Sequence, residues 1–263
     1  MDSNWDYVKK ITLWSYEDLI KRLSVLVNYP VLWQAYNHNM TQAASFARCL
    51  FPEMGSGKGE YTTSLLFTMD RLRTLGLHDW GHVIARIHTR AECDTFIRDH
   101  DLDFEEFIEL LNYLLRWAFP FETASRELLD HENPLEMAYY PIMKEHRLKN
   151  SFDILEQGCT STRRRVLVDR TGIPLDFLTR LVHRADITRL PYARRKTILP
   201  LCAAGYNTLK KIASANLAQM DLDMDSYFAR FPGKSWQDYK SVIVLKHLVT
   251  CARALPVIID ERK

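Results

Sequence analysis

Residues 204–209 read Ala-Gly-Tyr-Asn-Thr-Leu, and this short pattern decides the class of fold. A helix-like stretch ends at the glycine, an apolar residue follows, and polar residues then precede a new apolar-periodic run. Glycine just past a last helical turn adopts the left-handed conformation at little cost, and the apolar residue after it packs back on the helix that it closes. The next Asn or Thr caps the following helix by accepting a hydrogen bond from an unpaired amide. The stretch therefore predicts two short helices joined by a tight turn.

The same pattern recurs elsewhere in the chain. Residues 75–80 and 171–176 carry it with glycine, and residues 147–152 carry a looser version with Arg147 in the place of glycine. Apolar residues elsewhere follow helical spacing, as in residues 104–115, and the alternation with hairpin turns that marks a β-sheet is not found. These features predict an all-α protein, an array of short helices built from helix-turn-helix pairs.

Length and composition predict a globular chain. Its 263 residues, 47% of them hydrophobic, are enough to bury one large core or two modest ones. No stretch reaches the roughly 18 apolar residues of a membrane span, and residues 1–6 lack the features of a signal peptide. The five cysteines form no CxxC pair and are expected to be buried thiols, as in a reducing compartment. We therefore expect a cytoplasmic protein without a membrane partner.

Charge is distributed unevenly along the chain. Residues 161–211 contain twelve Lys or Arg against three Asp, a net charge of +9, whereas the whole chain carries +2 and the remainder therefore −7. Such a local excess can attract a polyanion; the alternative is a solvated surface that the acidic remainder partly neutralises. The change in composition predicts two domains, a helical N-terminal region over residues 1–158 with one helix-turn-helix unit and a basic domain over residues 159–263 with a C-terminal helix.

The basic segment contains a distinctive helix pair. Leu190-Pro191 leads into a turn, residues 194–197 read Arg-Arg-Lys-Thr and open a helix, and residues 205–213 read Gly-Tyr-Asn-Thr-Leu-Lys-Lys-Ile-Ala. At Leu190-Pro191 and at residues 205–213 the chain resembles the tandem, SAM-like helix-hairpin-helix superfamily of DNA ligases, repair nucleases and helicase tails. It is also similar to a bacterial branch of that superfamily whose function is unknown. The resemblance implies sequence-independent binding of DNA, or of RNA, without catalysis.

The hairpin itself departs from the superfamily pattern. In the DNA-binding form, hairpin glycines let backbone amides approach a phosphate, whereas residues 192–194 here read Tyr-Ala-Arg. Cationic side chains at this place could replace the amides through charge-assisted hydrogen bonds, and the arginines at residues 163–165 would form a second contact. No cofactor is expected. The predicted nucleic-acid-binding residues are Arg163, Arg164, Arg165, Arg189, Tyr192, Arg194, Arg195, Lys196, Thr197, Lys210 and Lys211.

Two other functions stay open. The first is a protein-interaction scaffold without nucleic acid, because degenerate hairpins of this superfamily often serve protein contacts alone. If nucleic acid is the ligand, the acidic N-terminal region is expected to be a module that docks a protein partner or regulates binding. The second is catalytic. His78-Asp79 resembles the adjacent pair of the HD superfamily of phosphohydrolases, in which both side chains hold a divalent metal that activates water. His38 and an aspartate at position 99, 101 or 103 would complete that ligand set, but Gly76 places the pair in a turn where Asp79 would cap a helix.

Other catalytic and ion-binding motifs are excluded by their spacing. A phosphate-binding loop fails because Lys58 is followed by Gly59 rather than by Ser or Thr. The aspartates that start at Asp99 and at Asp221 fail as calcium loops, because the glycine and the final glutamate are missing. GxSxG and HExxH are absent from the sequence. We therefore predict a binding protein rather than an enzyme, with its partner and oligomeric state left open.

Overall fold

The computed structural model of the protein describes residues 4–37, 40–51, 57–191, 193–231, 235–237 and 244–260. Within these ranges all regular secondary structure is helical, and the single β-bridge pairs Ala124 with Asn150. The all-α prediction is therefore confirmed. No helix in this part of the chain is both long enough and apolar enough to cross a membrane. The chain divides into two units, Met1–Phe119 and Pro120–Lys263.

The first unit is built around α5. This helix packs on α4 and α8, and α1 packs on both α2 and α8. The buried Tyr113 of α8 donates its hydroxyl hydrogen to the Ala43 carbonyl of α4 at 2.8 Å, so the polar tip of a core residue is satisfied. A π-helical turn, Leu114–Ala118, follows α8. The described helices are α1 (Trp5–Thr12), α2 (Tyr16–Ser24), α3 (Pro30–Tyr36), α4 (Met40–Leu50), α5 (Gly57–Thr74), α6 (Trp80–Ile84), α7 (Arg90–Asp99) and α8 (Phe104–Tyr113).

The second unit is built around α12, which packs on α10, α11, α13 and α14. Buried apolar residues recur along α12 at helical spacing, among them Phe177, Leu181 and Ala185. Helix α16 packs on α14 and α15. The described helices are α9 (Pro134–Glu145), α10 (Ser151–Gly158), α11 (Ser161–Thr171), α12 (Leu175–Ile187), α13 (Arg195–Ala203), α14 (Leu209–Ala213), α15 (Leu217–Phe228) and α16 (Leu245–Ala254).

The boundary expected near residue 158 falls inside the second unit, between α10 and α11. Gly158 shows why the chain does not divide there: a Cβ at this position would lie 2.5 Å from Cγ2 of the buried Val182 on α12. Glycine thus allows α10 to approach α12 closely. Because α10 and α11 both pack on α12, the change in charge near residue 158 marks a change in surface rather than the end of a core.

The predicted turns have the expected backbone. The angle φ is +78° at Gly76, +68° at Gly172 and +101° at Gly205, and Arg147 in the looser version has φ +58°. After three of these residues, the next apolar residue donates its amide to the carbonyl five positions earlier, at 2.8 to 3.0 Å. This bond satisfies a carbonyl at the end of the preceding helix. The turn pattern read from the sequence is therefore confirmed.

Most of the predicted helix caps are also present. Asp79, Asn150 and Thr208 each accept a backbone amide of the helix that they start, at 2.8, 2.8 and 3.1 Å. The turn at Gly172 differs. Helix α12 begins directly after Pro174, so Asp176 lies in its first turn and does not cap it. Proline fixes the backbone angle φ just before the helix but has no side-chain acceptor, so the first amides of α12 receive no side-chain cap.

The structure contains a further turn of this kind that the glycine pattern missed. Asp101 has φ +49°, the amide of Leu102 donates to the Ile97 carbonyl at 3.0 Å, and Asp103 caps α8. Aspartate adopts the left-handed conformation more easily than most residues other than glycine. The aspartates rejected as a calcium loop are thus the stop of one helix and the start of the next.

Candidate nucleic-acid interface

A cavity of about 1140 Å³ lies within the second unit, between α12, α13, α14 and the end of α15. It gathers residues that are widely separated in the sequence. Two carboxylates, Asp130 and Glu132, contribute to its lining. The basic residues that line it are Arg164, Arg180, Arg184, Arg195, Lys196, Lys210 and Lys211.

The start of α13 contributes Arg195 and Lys196. The residue before them, Arg194, has an extended backbone and makes no side-chain cap bond, so the positive end of the helix dipole lies beside the two cations. None of the ion pairs among the described residues involves Arg195 or Lys196. Nε of Arg195 is buried without a hydrogen-bond partner in this part of the chain. A buried donor of this kind favours an anionic ligand.

Helix α14 contributes Lys210 and Lys211. It starts at the cap Thr208, directly after the glycine turn, and its two lysines are exposed. The Lys211 ammonium lies 3.3 Å from the Gly205 carbonyl, which orients this side chain across the turn. The local turn pattern thus determines where both positive charges lie on the cavity wall.

The α12 side of the cavity carries Arg180 and Arg184, one helical turn apart. Arg184 is fixed by a buried pair with Glu136, at 2.6 and 3.0 Å, and it also donates to the Leu128 carbonyl at 2.9 Å. Arg180 pairs with Asp176 at 2.7 Å in an exposed position. Both α12 cations are therefore partly neutralised by a carboxylate partner.

Two titratable groups at this side have shifted pKa values. Burial acts to raise the pKa of the Glu136 carboxyl, but hydrogen bonds from Arg184 and from the Asp130 amide outweigh it, so this pKa lies below its ordinary value. Burial raises the pKa of the Cys202 thiol to about 11, although Arg184 acts in the opposite direction. Cys202 therefore remains protonated at neutral pH and is not activated as a nucleophile.

Aromatic side chains at the end of α15 form another part of the lining. Tyr227 and Phe231 are half-buried, and their ring centroids lie 5.1 Å apart. Phe228, between them in the sequence, is buried and stacks on Trp236 at 5.8 Å with an angle of 16°. These residues were not predicted from the sequence; they lie at the end of the acidic helix α15 and just after it. Their i, i+4 spacing was the signal that could have placed Tyr227 and Phe231 on one face.

Besides Arg164, four predicted binding residues come together at the cavity: Arg195, Lys196, Lys210 and Lys211. They come from two helices that follow one another in the chain, joined by the turn at Gly205. Tyr192, another predicted residue, lies outside the described residues.

Three other predicted residues are buried and cannot present a surface. Arg189 forms a buried ion pair with Asp186 at 2.6 Å, and Thr197 is packed inside α13. Arg164 borders the cavity, but its guanidinium donates to three backbone carbonyls, among them that of Asp260 at 3.0 Å. The prediction is corrected for these residues: a cation whose donors are bound to buried protein acceptors is not available to a phosphate.

The remaining predicted arginines lie outside the cavity lining. Consecutive residues on a helix point about 100° apart, so the triple arginine on α11 cannot act as one contact. Arg163 lies 3.7 Å from a carboxylate oxygen of Glu156, whereas Arg165 is exposed. The Arg194 guanidinium lies over the Phe121 ring, 5.5 Å from its centroid, and burial lowers its pKa.

The His78-Asp79 pair lies in the turn before α6, where Asp79 acts as the cap. The second carboxylate oxygen of Asp79 lies 2.6 Å from Nδ1 of the exposed His82. Asp101, one of the suggested metal ligands, pairs with Arg71 at 2.9 Å instead. His38 lies outside the described residues, and no group of three or more metal-ligating side chains occurs within them.

No family model, curated protein or solved structure matches the chain. The choice of function therefore depends on the chemistry of the cavity.

Proposed function

We propose that the second unit binds nucleic acid through its phosphate backbone, without sequence preference and without catalysis, at the basic cavity. The observation that carries this proposal is the convergence of Arg195, Lys196, Lys210 and Lys211 on one concave wall. Several cations around one cavity reinforce each other's potential and concentrate a polyanion there. Phosphate contacts fix position but carry no base information, so this site binds many sequences alike.

Three further features support a phosphate ligand. The start of α13 adds its dipole to the side-chain charges, which favours an anion at this point. The buried Nε of Arg195 is a donor that a phosphate oxygen would satisfy. The turn at Gly205 belongs to the part of the chain that resembles helix-hairpin-helix proteins. In this proposal, however, the contacts come from α13 and α14 rather than from the hairpin before them.

The test is the salt dependence of oligonucleotide binding, measured by fluorescence anisotropy with a labelled random sequence. Each neutralised phosphate contributes about 0.7 to 0.9 to the slope of log affinity against log salt. The double variant Lys210→Gln/Lys211→Gln is therefore expected to flatten this slope by about 1.5 and to weaken binding equally for unrelated sequences.

A matched control is Lys9→Gln/Lys10→Gln. This pair is also adjacent, exposed and in the last turn of a helix, but it lies on α1 in the other unit. We expect the salt slope of this control variant to equal that of the unchanged protein. Absence of binding at about 20 mM salt, or the same slope in both double variants, would rule out the proposed function.

A further inference from the structure

The cavity is lined by two chemically different surfaces. Lys196 and Lys210 belong to the cationic surface of α13 and α14, whereas Tyr227 and Phe231 present aromatic rings from the end of α15. A ligand that fills the cavity must therefore satisfy charge on one side and an apolar, planar surface on the other.

The aromatic surface is held in place before any ligand binds. Phe228 is buried and stacked on Trp236, whose indole Nε1 donates to Asp221 of α15 at 2.6 Å. The end of α15 is thereby fixed by a ring stack and a hydrogen bond. The Tyr227 ring contacts both neighbours, with centroids 5.2 Å from Phe228 and 5.1 Å from Phe231. Rings that are already ordered lose little conformational entropy when a ligand stacks on them.

A double helix cannot use this arrangement, because its bases are stacked on each other inside the duplex and only its backbone is offered to a concave wall. A single strand offers both parts, since its phosphates can follow the cations and its unpaired bases can stack on aromatic rings. We infer, on the basis of the proposed function, that the cavity binds single-stranded nucleic acid and that Tyr227 and Phe231 stack with its bases.

The inferred ligand is defined by unpaired bases on a phosphodiester backbone, which both DNA and RNA supply. Every base has a π-face, so stacking is compatible with the absence of sequence preference. None of the three aspartates of α15, Asp221, Asp223 and Asp225, belongs to the cavity lining, so this wall adds no carboxylate that would repel the phosphates.

The first experiment uses the unchanged protein and three ligands of equal length, about 12 nucleotides. They are an oligothymidylate, an abasic strand with the same number of phosphates, and a duplex. A strand of oligouridylate is added to compare RNA with DNA. We expect the oligothymidylate to bind at least about tenfold more tightly than the abasic strand, because loss of one stacked base costs about this much.

The second experiment identifies the rings. Tyr227→Leu removes the planar surface but keeps an apolar side chain, and we expect it to weaken oligothymidylate binding about tenfold while the affinity for the abasic strand stays the same. The matched control is Phe67→Leu, an exposed aromatic residue on α5 of the first unit. A thermal melt of each variant checks folding. If Tyr227→Leu does not fold, the comparison of ligands on the unchanged protein decides alone.

The outcomes separate the two proposals. Equal affinity for oligothymidylate and the abasic strand, still dependent on Lys210 and Lys211, would overturn base stacking but leave phosphate binding intact. Tighter binding of the duplex than of oligothymidylate would also overturn base stacking and leave phosphate binding intact. If no strand binds, both proposals fail. Both also fail if polyglutamate displaces oligothymidylate as effectively as the abasic strand does, and an acidic polypeptide is then the better ligand.

Discussion

Single residues determine where the helices of this protein stop. Gly76, Gly172 and Gly205 could be identified from the sequence, because a glycine between two helical patterns has one conformational reason to be there. Asp101 takes the same conformation without glycine, and its residue type alone did not predict a helix stop there. Glycine and aspartate differ here for a physical reason. Hydrogen bonds around an L-residue can hold it in the left-handed region, and the residue type alone does not predict those bonds.

Arg147 provides a test at this scale, because it holds φ at +58° with an exposed side chain. We expect Arg147→Gly to stabilise the protein by about 0.5–1 kcal/mol, since the left-handed strain of an L-residue exceeds the added chain entropy of glycine. The reverse change, Gly172→Ala, should destabilise by about 1 kcal/mol, because nothing lies within 4 Å of the new Cβ and only the backbone cost remains. Urea unfolding of the two variants measures both effects. A change in the free energy of unfolding in the same direction for both variants would contradict this explanation.

At the scale of helices, the sequence predicted the type of element well and the partners poorly. Apolar spacing and caps are local, so the helical class and the starts of α6, α10 and α14 could be predicted from neighbouring residues. The ion pair between Glu136 and Arg184 joins α9 to α12 across 48 residues of sequence. Nothing in either helix alone specifies this pairing.

This ion pair gives a prediction with a pH dependence. The folded pKa of Glu136 lies below the ordinary value of 4.5, so its contribution to stability is present above pH 4.5 and is lost as pH falls through the folded pKa. Glu136→Gln should lower the free energy of unfolding by about 3 kcal/mol at neutral pH, because it leaves a buried guanidinium without its counter-charge. The difference from the unchanged protein should shrink as the pH falls through the folded pKa of Glu136.

The control is Asp176→Asn, which removes the exposed partner of Arg180 on the same helix. We expect a much smaller cost than that of Glu136→Gln, because solvent screens an exposed pair. Urea unfolding at several pH values measures both variants. A Glu136→Gln cost that does not change with pH would show that packing, and not charge, holds the two helices together.

At the scale of the whole molecule, the uneven charge of the sequence corresponds to a cavity in one of two units. All cavity-lining residues lie between positions 130 and 231, inside the unit Pro120–Lys263. The boundary predicted near residue 158 was based on the change in charge along the sequence. The unit begins earlier because its core includes α9 and α10. A protein-docking role for the acidic N-terminal region stays a prediction.

The division into units predicts that residues 120–263 form an independent binding module. We expect this fragment to be helical by circular dichroism and to bind a single-stranded oligonucleotide with the same salt slope as the full chain, because its own core supports the cavity. A folded fragment with a flatter slope would mean that the first unit contributes phosphate contacts. A fragment that does not fold would contradict the division itself.

The sequence alone determined the helical class, the tight turns and a basic segment, because each depends on residues that are neighbours in the chain. The tertiary structure decided which cations act together. It buried Arg164 and Arg189 against protein acceptors, and it brought Lys196, Lys210 and Tyr227 into the lining of one cavity. Whether a charged side chain meets a ligand or a protein partner depends on contacts between distant helices, and composition cannot specify those contacts.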